Sequence, residues 1–238
     1  MSRLAGKRAL VTGASRGIGA AIAQQLAAEG ADVAITYERS AEKAASVVKA
    51  IEALGRKGAA IAADSADPAA VKRSVDQAAQ ALGGLDILVN NAGIYRGGPV
   101  EDWSLADIGA VVLASQAAAA HLGEGGRIIS IGSCLADRVV EPNVTLYAMT
   151  KAALIGFTKG LARDFGPRGI TVNLVHPGST DTDMNPADGP RAAAQLARMA
   201  IPAYGKPQDI AAAVAYLASE EGRFITGAGL AVDGGVNT

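Results

Sequence analysis

ALVTGASRGIG, residues Ala9 to Gly19, decides how the chain is read. Ala9 to Thr12 is apolar or β-branched throughout, as a buried strand requires. It runs directly into Gly13-Ala14-Ser15-Arg16-Gly17-Ile18-Gly19, and an Ala-rich stretch of helical period follows over 17–29. Strand, glycine turn and helix in that order give a glycine pattern its meaning. The glycines let backbone amides approach a pyrophosphate, and the first N–H groups of the helix add partial positive charge. Three residues, not one, separate the first two glycines, so the spacing departs from the common dinucleotide pattern. The loop still predicts nucleotide binding, through Gly13, Ser15, Arg16, Gly17, Ile18 and Gly19. A glycine-rich turn without a ligand is the bland alternative, and the strand and helix on either side speak against it.

The same alternation continues outward. Further strands are expected at Asp32–Tyr37, Gly58–Ala63, Asp86–Asn90, Arg127–Ile131, Ile170–Val175 and Leu230–Val232. Helices are expected at 41–54, 68–82, 104–122, 147–165 and 207–219. Asp67-Pro68 reads as an N-cap followed by a first-turn proline, and Lys206-Pro207 offers the same early proline. Several strands are apolar almost throughout, as parallel strands covered on both faces are. The chain therefore predicts an α/β fold: one Rossmann-type domain over 1–238, a doubly wound sheet of about seven parallel strands flanked by helices. The irregular segment is 176–206, where four prolines fall among Gly, Asp and Thr. A loop that long is a lid or a binding loop, and 179–201 is read as the substrate lid. Its Met184, Leu196, Met199 and Ile201 suggest a partly apolar surface with no carboxylate clamp.

Composition bounds the rest. The 238 residues are 50% hydrophobic but only 4% aromatic, so the core must be built from Ala, Val, Ile and Leu. With 22 basic against 23 acidic residues, no nucleic-acid partner is expected. The single cysteine, Cys134, forms no internal disulfide, which fits a reducing compartment. Gly and charged residues interrupt every apolar stretch, so no membrane partner is expected and a cytoplasmic protein is the default. His121, His176 and Cys134 lack metal-ligand spacing, and no metal is expected. His121 reads as a cap or surface residue, and His176 as shaping the turn before Pro177.

The end of the second strand bears on the choice of nucleotide. Folds that prefer NAD often place an acid there, accepting from the ribose 2′-hydroxyl. This one reads Thr36-Tyr37-Glu38-Arg39-Ser40. Tyr37, Arg39 and Ser40 would face the adenosine ribose. Arg39 and Ser40 suit a 2′-phosphate, Arg16 is a second clamp, and Glu38 argues the other way. NADP(H) is favoured over NAD(H). Tyr147 and Lys151, four apart at the front of another helical run, share a face. That spacing alone is common.

Taken in order, TGASRGIG at 12–19, NNAG at 90–93, IGS at 131–133, Tyr147 with Lys151, HPG at 176–178 and TGAGLAVDGG at 226–235 resemble the short-chain dehydrogenase/reductase superfamily of the classical type. The resemblance runs from Lys7 to Asn237 and is greatest to the bacterial 3-oxoacyl-carrier-protein-reductase-like group. It implies that Asp64 meets the adenine edge, while Asn90, Ala92 and Gly93 flank the adenosine ribose. Pro177 and Gly178 lie near the nicotinamide, Thr182 reaches its carboxamide, and Thr180 belongs to the same loop. Ser133 would bond the substrate oxygen, Tyr147 would transfer the proton and Lys151 would grip the nicotinamide ribose. A homotetramer or homodimer is the implied assembly.

Two departures stand out. The family's serine usually precedes the tyrosine by thirteen positions, which lands on Cys134; Ser133 is preferred because it ends a strand and the 137–145 loop absorbs one residue. Between Gly93 and Arg127 the chain is about eight residues short, slightly more than two helical turns. The family's helix-borne catalytic Asn has no clear counterpart there, and Asp107 near its place is a poor substitute. Trp103, in the same region, either lines the substrate mouth or packs at a helix start. The expected activity is hydride transfer between a nicotinamide and a small carbonyl or alcohol. Its rival is a nucleotide sensor on the same fold, for NADPH or a cyclic dinucleotide, with little turnover.

Overall fold

A computed structural model describes residues 2–93, 106–140 and 142–238. Seven strands form one parallel sheet: β1 (Arg8–Val11), β2 (Asp32–Tyr37), β3 (Gly58–Ala62), β4 (Ile87–Asn90), β5 (Arg127–Ile131), β6 (Thr171–Pro177) and β7 (Gly229–Val232), in the order β3-β2-β1-β4-β5-β6-β7. The helices are α1 (Gly17–Ala28), α2 (Ala41–Ala53), α3 (Pro68–Leu82), α4 (Ala106–Ala118), α5 (Thr145–Phe165), α6 (Ala192–Leu196) and α7 (Pro207–Ala218).

Strand alternation sorts the core into two layers. Ala9 and Val11 of β1, Ile87 and Val89 of β4 and Ile129 of β5 point into the layer closed by α1, α2 and α7. Leu10, Leu88 and Ile128, one residue out of phase, point into the layer closed by α3, α4 and α5. Both faces are dry, which explains the near-continuous apolar strands. Small residues let the helices sit close, and Ala21, Ala23, Ala211 and Ala215 are all buried between α1, α7 and the sheet.

Local signals set the helix starts as expected. Asp67 accepts the Ala69 N–H at 2.8 Å, with Pro68 in the first turn of α3. Asp209 accepts the Lys206 N–H at 2.7 Å ahead of Pro207 and α7. His121 sits at the surface against Asp76, 2.7 Å away. The predicted strands and helices all form, with described ends shifted by up to four residues, the largest at the end of α4; the expected start of that helix at 104 lies outside the described residues. One addition is α6, inside the segment read as an irregular lid. Residues 94–105, which hold Trp103 and the front of the shortened stretch, lie outside the described residues, as does the side chain of Asp107.

Candidate active site

The sheet reverses direction between β1 and β4, since β2 and β3 lie to one side and β5 to β7 to the other. Loops leaving the two strands separate there and open a crevice at their carboxyl ends. A cleft of about 820 Å³ occupies it. Every residue expected to touch the cofactor or do chemistry lines this cleft, except Asn90.

The floor is the glycine loop. Gly13 has φ +63°, and a Cβ there would stand 2.8 Å from the Ala92 Cα. Only glycine fits that turn against the next strand's loop. Thr36 Oγ accepts the Gly13 N–H at 2.9 Å, so Thr36 supports the loop from beneath. Asn91 supports it from the side, donating to the carbonyls of Thr12 at 2.9 Å and Gly13 at 3.1 Å. The start of α1 has no side-chain cap and no acid in its first turn. Its N–H donors thus face the cleft unspent, which is the donor set a pyrophosphate needs.

Asn90, expected beside the ribose, is turned the other way. It is buried, and its amide donates to Ser115 Oγ on α4 at 3.0 Å. The cleft wall here is Asn91, Ala92 and Gly93. Alternation along a strand puts neighbours on opposite faces, and the doubled Asn in NNAG hid which one faces in. At the far end, Glu38 pairs with Arg39 at 2.8 Å, both largely exposed, and Arg16 stands opposite.

The reacting end is built by β5, α5 and the loop after β6. Ser133 follows β5, and its Oγ accepts the Leu135 N–H at 3.2 Å. That contact uses a lone pair and leaves the hydroxyl hydrogen to be donated. One turn of α5 separates Tyr147 from Lys151 on the face that meets the cleft. The Lys151 ammonium lies 5.6 Å from the Tyr147 ring centre and donates to the Ile131 carbonyl at 2.8 Å. Burial lowers its pKa from the ordinary value to about 8. Cys134 packs against Met199 and Val236. Burial and then the Asp233 charge push its thiol up to about 11, so it stays protonated near neutrality and is no nucleophile.

The segment read as a lid carries more internal hydrogen bonding than the sequence implied. Asn185 and Gln195 exchange side-chain hydrogen bonds at 2.9 and 3.1 Å, and Tyr204 donates to Gln195 at 2.7 Å. Thr182 Oγ accepts the Asn185 N–H at 3.2 Å, which orients Thr182 over the glycine loop. Leu196 and Met199 turn inward onto Cys134, Ile201 is exposed, and Met184 lines the cleft. Arg191, Gln195 and Arg198 also line it, so the wall read as partly apolar carries two guanidinium groups. Both flank the short α6, outside its five residues, and no sequence pattern marked them. Among the described residues, no cluster of three or more His, Cys, Asp or Glu is placed to hold a metal, and no helix is long and apolar enough to cross a membrane.

A dinucleotide crevice with a Tyr–Lys pair beside a serine defines a nicotinamide-dependent oxidoreductase. Residues 13–237 match the family described as Enoyl-(Acyl carrier protein) reductase. The chain is similar to a Burkholderia cenocepacia short chain dehydrogenase solved in complex with NADP, with 67% identity, a TM-score of 0.96 and 99% and 100% of the two chains covered. It is 43% identical to the cyclic-di-GMP-binding biofilm dispersal mediator protein of Escherichia coli K12, over 98% of each chain. It is 41% identical to the 3-oxoacyl-acyl-carrier-protein reductase of Staphylococcus aureus Mu50, over 97% of this chain and 98% of that one. The chain belongs to the short-chain dehydrogenase/reductase superfamily and is an NAD(P)-dependent oxidoreductase acting on a small substrate.

Proposed function

We propose that the protein reduces a small ketone or 3-oxoacyl thioester with NADPH, or runs the reverse oxidation, using Ser133, Tyr147 and Lys151. The supporting observation is that the Tyr147–Lys151 pair and Ser133 line the same cleft as the glycine loop. When bound, the reduced nicotinamide supplies a hydride to the carbonyl carbon. The chain must then do three things. Ser133 donates a hydrogen bond to the carbonyl oxygen and holds it in place. Tyr147 gives its phenolic proton to that oxygen as the C–O π bond becomes a lone pair, leaving a neutral alcohol and a phenolate. The Lys151 ammonium stabilises that phenolate, which matters because an ordinary tyrosine has a pKa of about 10. Uncapped α1 amides hold the pyrophosphate, and Thr182 orients the carboxamide end.

Preference for NADP(H) is supported by Arg16, Arg39 and Ser40 lining the cleft at the ribose end, by Arg39 offsetting the charge of Glu38, and by the NADP-bound relative. Assembly as a homodimer or homotetramer remains part of this reading, and sedimentation velocity checks it.

Tyr147→Phe keeps the packing of the ring and removes the proton. Turnover should fall at least about a hundredfold with NADPH affinity nearly unchanged. Near-normal reduction by that variant would sink the assignment. The second reading, a nucleotide sensor, draws on the Escherichia coli relative's name. It gains ground if the wild-type protein binds NADPH yet oxidises it with no member of a panel of ketones, 3-oxoacyl thioesters and diketones.

A further inference from the structure

His176 lies in β6, is 5% exposed and does not line the cleft. Its Nδ1 is 2.9 Å from the Ser133 carbonyl oxygen. A carbonyl only accepts, so Nδ1 carries the proton and His176 is the donor. The same carbonyl accepts the Ala136 N–H at 3.0 Å, while Ser133 Oγ accepts from Leu135. Both ends of Ser133 are therefore held, its side chain by one backbone amide and its peptide by the histidine.

The ring has no room to move. A Cβ on Gly132 would stand 2.8 Å from Nδ1 and 3.1 Å from Cε1, and one on Gly229 would stand 3.0 Å from Nε2. The imidazole is thus gripped between two glycines, one beside the serine and one at the start of the edge strand β7. Neither glycine has a positive φ, so what each position requires is space for the ring.

We propose that His176 is a positioning residue: its Nδ1–H fixes the Ser133 peptide and so aims the serine hydroxyl at the substrate oxygen, with Gly229 setting the ring's place from outside the cleft. The inference rests on the reading of Ser133 as the group that holds that oxygen. A misplacement of about 1 Å at a reacting centre costs on the order of a hundredfold. Loss of one neutral hydrogen bond that limits such movement should therefore cost about tenfold in kcat.

Four variants test it, with acetoacetyl-coenzyme A and butane-2,3-dione as probe substrates and NADPH as reductant. His176→Phe keeps a flat ring and removes the donor; kcat should fall about tenfold, with KM and NADPH Kd changed less than about twofold. His176→Asn carries an amide nitrogen where Nδ1 stood and should recover kcat to within about threefold of wild type. Gly229→Ala should lower kcat several-fold with NADPH Kd unchanged, although no cleft-lining residue is altered. Ser133→Ala is the reference. Full turnover by His176→Phe while Ser133→Ala is inactive overturns the inference and leaves the proposed function standing. Full turnover by Ser133→Ala overturns the reading beneath it. Should the Phe variant fail to fold, unchanged kcat in Gly229→Ala decides against the proposal. One readout needs no turnover: long-range 15N NMR of the cofactor-free protein should show His176 as the Nδ1–H tautomer, and the Nε2–H tautomer would overturn it.

Discussion

At the scale of single residues, Lys151 carries a cost in stability. Its ammonium is held in a buried place that lowers its pKa to about 8, while in the unfolded chain it sits near the ordinary lysine value of about 10.4. Below about pH 8 both states carry the proton, and the folded state bears the cost of the buried charge. Between about 8 and 10.4 the folded protein releases its proton and the unfolded chain keeps it, so unfolding takes up a proton and stability rises with pH. Lys151→Met removes this dependence. Thermal unfolding of the cofactor-free proteins should therefore show wild type gaining on the variant as pH is raised from about 8 to about 10, with turnover lost in the variant throughout. A constant difference would mean that Lys151 is not held as described.

At the scale of elements, the segment read as a lid is tied across the cleft. Asp183, on the segment between β6 and α6, places one carboxylate oxygen 3.1 Å from Lys43 on α2 and 3.7 Å from Arg16 in the glycine loop. The Lys43 hydrogen bond first, and then the charges of Lys43 and Arg16, hold the Asp183 pKa below the usual carboxylate value. A lowered carboxylate pKa stabilises above the unfolded value and is lost as pH falls through the folded one, so the tie is intact throughout the neutral range. All three side chains are more than half exposed, and exposed pairs contribute about 0–1 kcal/mol. Asp183→Asn should thus raise amide hydrogen exchange over 181–187 by up to about fivefold, and high salt should do the same to wild type. Unchanged exchange in both experiments would show that the Asn185–Gln195–Tyr204 network holds the lid alone.

At the scale of the whole molecule, the cleft collects residues from the loops after each of β1 to β6, and from α4 and α5. A ligand that spans it links both halves of the sheet and stabilises them together, by an amount that grows with ligand concentration over Kd. NADPH should raise the thermal midpoint more than NADH at equal concentration. In the Arg16→Ala/Arg39→Ala double variant that excess should vanish, because the 2′-phosphate loses its charge-assisted hydrogen bonds. Equal shifts in wild type, or equal losses in the variant, would move the preference towards NAD.

The sequence by itself determined the strand–helix alternation, the single parallel sheet and the glycine loop. Those depend on local periodicity and on residues adjacent in the chain, such as Ala9 to Gly19. It also placed Tyr147 and Lys151 on one face, because a helix fixes the relation between positions four apart. Tertiary structure alone decided which of Asn90 and Asn91 faces the cleft, since a strand alternates and only packing against α4 selects the phase. It decided that Arg191 and Arg198 line the cleft, and that His176 bonds the peptide of the serine that follows another strand. The histidine contact joins residues far apart in sequence, and no local pattern carries the distance between them. His176 and Ser133 meet only because β6 pairs with β5, in a register set by burial along the whole of both strands.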